Sequence, residues 1–133
     1  MENITKDLTP KKVFYFFEEL SKIPRGSKKE EAVSSWLVNF ANERGLEVYK
    51  DNFLNVIIKK AGSKGHENFS PLILQGHTDM VWEKNEGTVF DFETQGIELL
   101  IDNGFLKANG TTLGADNGIA VAVALAILDS DDI

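Results

Sequence analysis

Residues 119–128 are apolar without exception, alanine alternating with valine, leucine or isoleucine. The run falls far short of the ~20 residues that a bilayer span needs. A helix over 117–128 is apolar on nearly all sides, so it is expected at the centre of the fold with other elements covering it. The rest of the chain must supply that cover.

Upstream, Thr9 and Pro10 read as an N-cap followed by proline at the first helical position. Val13, Phe14, Phe16, Phe17 and Leu20 then form a broad apolar stripe, and the segment 23–26 (Ile-Pro-Arg-Gly) ends that helix. Ser27 and Glu30 have capping-box spacing. The helix they open places Val33, Trp36, Leu37 and Phe40 on one face and stops at Gly45. Strands are expected at 46–49 and 54–58. A third, at 71–75, is expected to be buried on both faces, with Gly76-His77-Thr78-Asp79 leaving its end. Asn103-Gly104 signals a two-residue hairpin between 98–102 and 105–108. Helices, then strands, then a buried helix make an α/β fold: a mixed β-sheet flanked by helices in the order α-α-β-β-β-hairpin-α. Few elements remain to cover the last helix, so the chain is either an unusually compact domain or a piece of a larger one.

The charge balance, 14 basic against 21 acidic residues for a net of -7, argues against a nucleic-acid partner, which needs a basic stripe. The absence of cysteine excludes disulfides and thiolate metal sites. Residues 1–9 are polar and lack a signal-peptide core. A soluble, cytoplasmic protein without a membrane partner is the expectation.

The chain has two histidines. His66 lies in a polar loop and reads as solvated. His77 follows a strand, where α/β sheets place their ligands, and Asp79 is two residues on, on the same side of extended backbone. A carboxylate behind a histidine fixes the ring tautomer and strengthens the other nitrogen as a metal donor. A plain hydrogen-bonded pair is the competing reading. Asp116 sits in the glycine-containing string 110–118, either as the N-cap of the last helix or as a metal-bridging carboxylate. Glycines at 110, 114 and 118 fit neither phosphate-binding pattern.

Taken together, the strings 74–81 (Leu-Gln-Gly-His-Thr-Asp-Met-Val) and 110–118 (Gly-Thr-Thr-Leu-Gly-Ala-Asp-Asn-Gly), with Lys84-Asn85 between them, closely resemble the aminoacyl-histidine dipeptidases. These belong to the di-zinc family that also includes aminoacylase, carboxypeptidases and tripeptidase. The resemblance extends to 23–27 with Glu30 and Glu31, to 55–57 and to 88–92. It implies that His77 ligates one zinc, that Asp116 bridges two, and that Asp79 is the catalytic support that orients His77. It also implies a cis peptide bond at Asp116-Asn117. Leu54 stands where the family often has glycine, which puts a local turn in doubt.

The resemblance further implies hydrolysis of Xaa-His dipeptides by a water bound to two Zn2+ ions, with Co2+ or Mn2+ as substitutes, in a homodimer. A dinuclear site needs about five protein ligands, and two match here. Residues 1–133 are therefore expected to be the N-terminal portion of a catalytic domain, inactive alone, with the lid domain and the remaining ligands elsewhere. Deacylation of N-acyl amino acids on the same fold, and a non-catalytic binding module, are the alternatives. A substrate panel separates the first from dipeptide hydrolysis, and the sequence beyond Ile133 tests the second.

Overall fold

The computed structural model describes residues 3–133. Its elements are α1 (Lys11–Ser21), α2 (Glu31–Glu43), β1 (Glu47–Lys50), β2 (Val56–Lys59), β3 (Leu99–Asp102), β4 (Phe105–Ala108) and α3 (Ala115–Leu128). The α/β architecture and the element order follow the sequence reading. The sheet differs from it in two respects. The strands form two separate antiparallel pairs, β1 with β2 and β3 with β4. Residues 71–75 form no strand and have no strand partner among the described residues, and Leu72 and Ile73 are 83% and 86% exposed. Apolar composition marked the segment as a strand, but no neighbour among the described residues pairs with its backbone or covers its side chains.

The core lies between α1, α2 and α3. Phe16, Phe17 and Leu20 of α1 meet Val33, Leu37 and Phe40 of α2 and Val121, Ala122, Leu125 and Ala126 of α3. Phe16 and Phe40 make an edge-to-face pair with centroids 5.5 Å apart. At the far end Asp129 receives Lys12 Nζ at 2.8 Å and Arg44 Nε at 2.7 Å, tying the three helices together. Cover for α3 is one-sided. Its α1 face is closed, whereas Ile119 and Val123 on the other side remain 40% and 39% exposed. They line a shallow apolar groove with Leu74 and Gln75. The expectation of a helix covered all round is corrected on this point, because the helical core covers one side and no described element closes over Ile119 and Val123. No described helix is long and apolar enough to cross a membrane.

The helix boundaries were read less well than the helices. α1 starts at Lys11 with Pro10 at the N-cap position, one residue later than expected, and the Thr9-Pro10 bond is cis. α2 starts at Glu31 without a side-chain cap. Glu30 instead accepts the Lys28 N–H at 2.8 Å, and Ser27 turns away to Asp79. Its C-terminus is as read: Gly45 has φ +65°, and the Gly45 and Leu46 N–H groups close onto Asn42 and Ala41. Asn103 and Gly104 both have positive φ, as a tight hairpin requires. Leu54 adopts φ +70°, a conformation natural to glycine, and Asp51 accepts the N–H groups on either side of it, from Phe53 and Asn55. The turn survives the leucine.

Glu18 is a buried carboxylate, 7% exposed. It accepts the Ile4 and Thr5 N–H groups and the Thr5 hydroxyl at 3.1, 3.0 and 2.6 Å, so it anchors the segment before α1. Burial alone would raise its pKa, but these bonds outweigh burial and hold it below the usual 4.5. A depressed folded-state pKa contributes stability that is present above 4.5 and lost as pH falls through the lower value. Glu18→Gln is expected to cost about 1.5–3 kcal/mol at neutral pH. Urea titrations should show the gap between wild type and variant narrowing at pH 3; a gap that does not depend on pH would contradict this account.

Candidate metal half-site

The two motif strings lie side by side. After residues 77–79 the chain runs antiparallel to 110–112. The Asn85 N–H donates to Gly110 O at 2.8 Å, the Thr112 N–H to Glu83 O at 2.9 Å, and the Thr112 hydroxyl to Val81 O at 2.7 Å. Lys84 and Thr111 form the bridge between them. On the other flank Met80 pairs in parallel with Gly26, its N–H donating to Arg25 O at 2.9 Å. His77 and Asp116, 39 residues apart in sequence, thereby meet: Nε2 is 3.0 Å from Asp116 Oδ1.

Asp79 stands behind the ring. Its Oδ1 lies 3.0 Å from His77 Nδ1, and its Oδ2 accepts the Ser27 hydroxyl at 2.5 Å. Nδ1 is also 3.1 Å from the Asp79 carbonyl oxygen. The sequence left Asp116 open between cap and ligand. The Asp116-Asn117 bond is cis, and neither residue has helical dihedrals. The Asp116 carboxylate is 97% exposed, turned outward to His77 and not back onto the helix. His66 lies apart, edge-on to Phe69. Trp82 stacks on Phe92, and Lys84 Nζ donates to Phe90 O, so both support the loop beside the site.

Electrostatics follow from this geometry. The hydrogen bond to Asp116 raises the His77 pKa most; burial opposes it, and Asp79 adds to the rise. The Ser27 hydroxyl is the main influence on Asp79 and lowers its pKa against the effect of burial, with His77 lowering it further. While the carboxylates stay ionised, an imidazolium held between them stabilises the fold fully below the ordinary histidine value of 6.5, and this contribution is lost as pH rises through the raised His77 value. A cation must displace that proton, so metal affinity should fall as pH drops through the same range.

The donor set fits a divalent metal in part. Bonds of about 2.0–2.2 Å to nitrogen and oxygen in a tetrahedral site separate the two donors by roughly 3.4 Å. The 3.0 Å between Nε2 and Oδ1 lies within a few tenths of an ångström of that. Asp79 supplies the carboxylate that metal-binding histidines require on the other nitrogen. Among the described residues no third histidine or carboxylate converges to complete the sphere. Sequence reasoning missed two contributors. Ser27 was read as a helix cap and Arg25 as part of a helix break, and only the folded chain brings them to residues 78–80.

Comparison with known proteins bears out the resemblance. No family model matches the chain. It is 42% identical over 126 residues to a protein named cytosol non-specific dipeptidase from Escherichia coli (strain K12), covering 95% of this chain and 26% of that protein. The crystal structure of an aminoacylhistidine dipeptidase from Vibrio alginolyticus superposes with a TM-score of 0.92 at 44% identity, over 96% of this chain and 26% of that one. The chain thus spans about a quarter of the length of each relative it matches.

Proposed function

We propose that this chain contributes His77, Asp79 and Asp116 to the dinuclear zinc centre of a dipeptidase that cleaves Xaa-His dipeptides, and that the 133 residues alone are inactive. The observation that carries the reading is the contact of His77 Nε2 with Asp116, backed by Asp79 on Nδ1. It occurs in a chain 42–44% identical to two proteins named as dipeptidases. The cytosolic location in one relative's name extends to this protein under the same reading.

The roles follow from the chemistry of each group. Asp79 accepts the Nδ1–H of His77, which keeps that proton on Nδ1 and so leaves the Nε2 lone pair as the metal donor. Asp116, with two carboxylate oxygens, could hold a second ion beside the one at His77. Zinc, when bound, supplies polarisation of the scissile carbonyl and a water whose pKa is lowered towards ~7. All-nitrogen-and-oxygen ligation also admits cobalt or manganese. The remaining ligands and the carboxylate that accepts the water's proton are assigned to parts of the enzyme other than this chain, since no further donor converges among the described residues.

The test is hydrolysis of β-alanyl-histidine and glycyl-histidine by the complete polypeptide that carries this sequence, beside N-acyl amino acids and dipeptides lacking histidine. Cleavage of Xaa-His substrates that depends on zinc, cobalt or manganese is expected. No cleavage with any of the three would sink the reading; preference for N-acyl substrates would replace it with deacylation. The 133-residue chain should bind zinc weakly and cleave nothing, and two tight sites in calorimetry would contradict this.

A further inference from the structure

Arg25 is wholly buried, with 0% exposure, yet among the described residues no carboxylate hydrogen-bonds its nitrogens, and Asp79 acts on it only through space. Its Nη1–H donates to Thr78 O at 3.0 Å and its Nη2–H to Gly114 O at 2.8 Å. Nε is buried without a partner among the described residues. A buried, incompletely satisfied cation is costly to fold. What it joins is specific: Thr78 follows His77, and Gly114 lies two residues before Asp116.

Two of the three glycines in the string 110–118, which fits no phosphate-binding pattern, are explained here. A Cβ on Gly114 would lie 2.5 Å from Arg25 Nη2, and one on Gly118 would lie 2.8 Å from the same atom. Gly114 also has φ +74°. Both glycines leave the space that the guanidinium fills. The backbone of Arg25 acts on the same segment, since its carbonyl oxygen receives the Met80 N–H.

We propose that Arg25, seated on Gly114 and Gly118, is a positioning residue that clamps the His77-bearing segment to the Asp116-bearing segment and so sets the distance between the two candidate metal donors. A planar fork suits this task because its two donors reach separate carbonyl oxygens at fixed angles, which an ammonium does not reproduce. The metal role of His77 and Asp116 rests on the reading above; the clamp itself does not.

The clamp is tested without metal. The chain has two histidines, so the His77 ring protons are readily assigned by NMR. Wild type should give cross-relaxation between the His77 ring and the Asp116 Cβ protons. Arg25→Met should lose it while the methyl signals of Leu20, Val33 and Leu125 stay dispersed. Arg25→Lys should restore it only in part. Gly118→Ala keeps the arginine but crowds its seat and should weaken the same contact. In the complete polypeptide, Arg25→Lys and Gly118→Ala should each lower zinc affinity about 10–100-fold, the range for residues that orient ligands. A His77–Asp116 contact of wild-type strength in folded Arg25→Met or Arg25→Lys overturns the clamp. Loss of the whole fold in all three variants also overturns it, by making Arg25 a core residue only. A complete polypeptide that shows the contact but binds none of zinc, cobalt or manganese would refute the peptidase reading and leave the clamp standing.

Discussion

Truncating Phe17 to alanine is expected to remove most of this chain's stability. Phe17 is 1% exposed and sits where α1 meets α3, beside Leu20, Val121 and Leu125 in the core cluster. Removing a buried aromatic ring costs roughly 3–5 kcal/mol, through lost transfer energy and the cavity left behind. Domains have only about 5–15 kcal/mol in total. This one closes α3 on one side only, which places it toward the low end. With a urea dependence of about 1–3 kcal/mol per molar, the unfolding midpoint should drop by about 2 M, or the variant should be unfolded in buffer. Tyr15, two residues away and 45% exposed, is the control, because its ring leans on Phe16 from the solvent side. Tyr15→Ala should cost about 1 kcal/mol or less. Equal losses at the two positions would mean that the α1–α3 seam is not the centre of the fold.

His77→Ala should have the largest effect on catalysis. In the complete enzyme it removes a proposed metal donor, and with it the several kcal/mol of transition-state stabilisation that a bound metal provides. At 1.36 kcal/mol per decade, kcat/KM for an Xaa-His dipeptide should fall on the order of 10^3-fold or more. Asp79→Asn should be milder, with zinc affinity down about 10–100-fold, because the amide still reaches Nδ1 but no longer favours the correct tautomer. His66→Ala should change neither quantity, since His66 lies in an exposed loop against Phe69. Comparable losses at His66 and His77 would remove His77 from the site.

Much of this fold is legible in the sequence. The apolar stripes of α1 and α2, the Gly45 stop and the Asn103-Gly104 turn are local features, and the folded chain keeps them. Local periodicity says little about what lies across the fold. Ser27 has capping-box spacing, yet its hydroxyl serves Asp79, 52 residues away, because the chain returns there to pair Met80 with Gly26. Arg25 lies in the 23–27 string of the resemblance but shows no role there, since a lone arginine between proline and glycine looks like part of a turn.

The helices, the hairpin and the two strings that bear His77, Asp79 and Asp116 are legible from residues close together in the chain. Packing set the rest. It turned Asp116 outward to His77, filled the space at Gly114 and Gly118 with a guanidinium, and left residues 71–75 exposed. The reason is physical: helix caps, turns and amphipathic periods depend on neighbours within a few residues, whereas burial and donor distance depend on which distant segments the packed chain brings together.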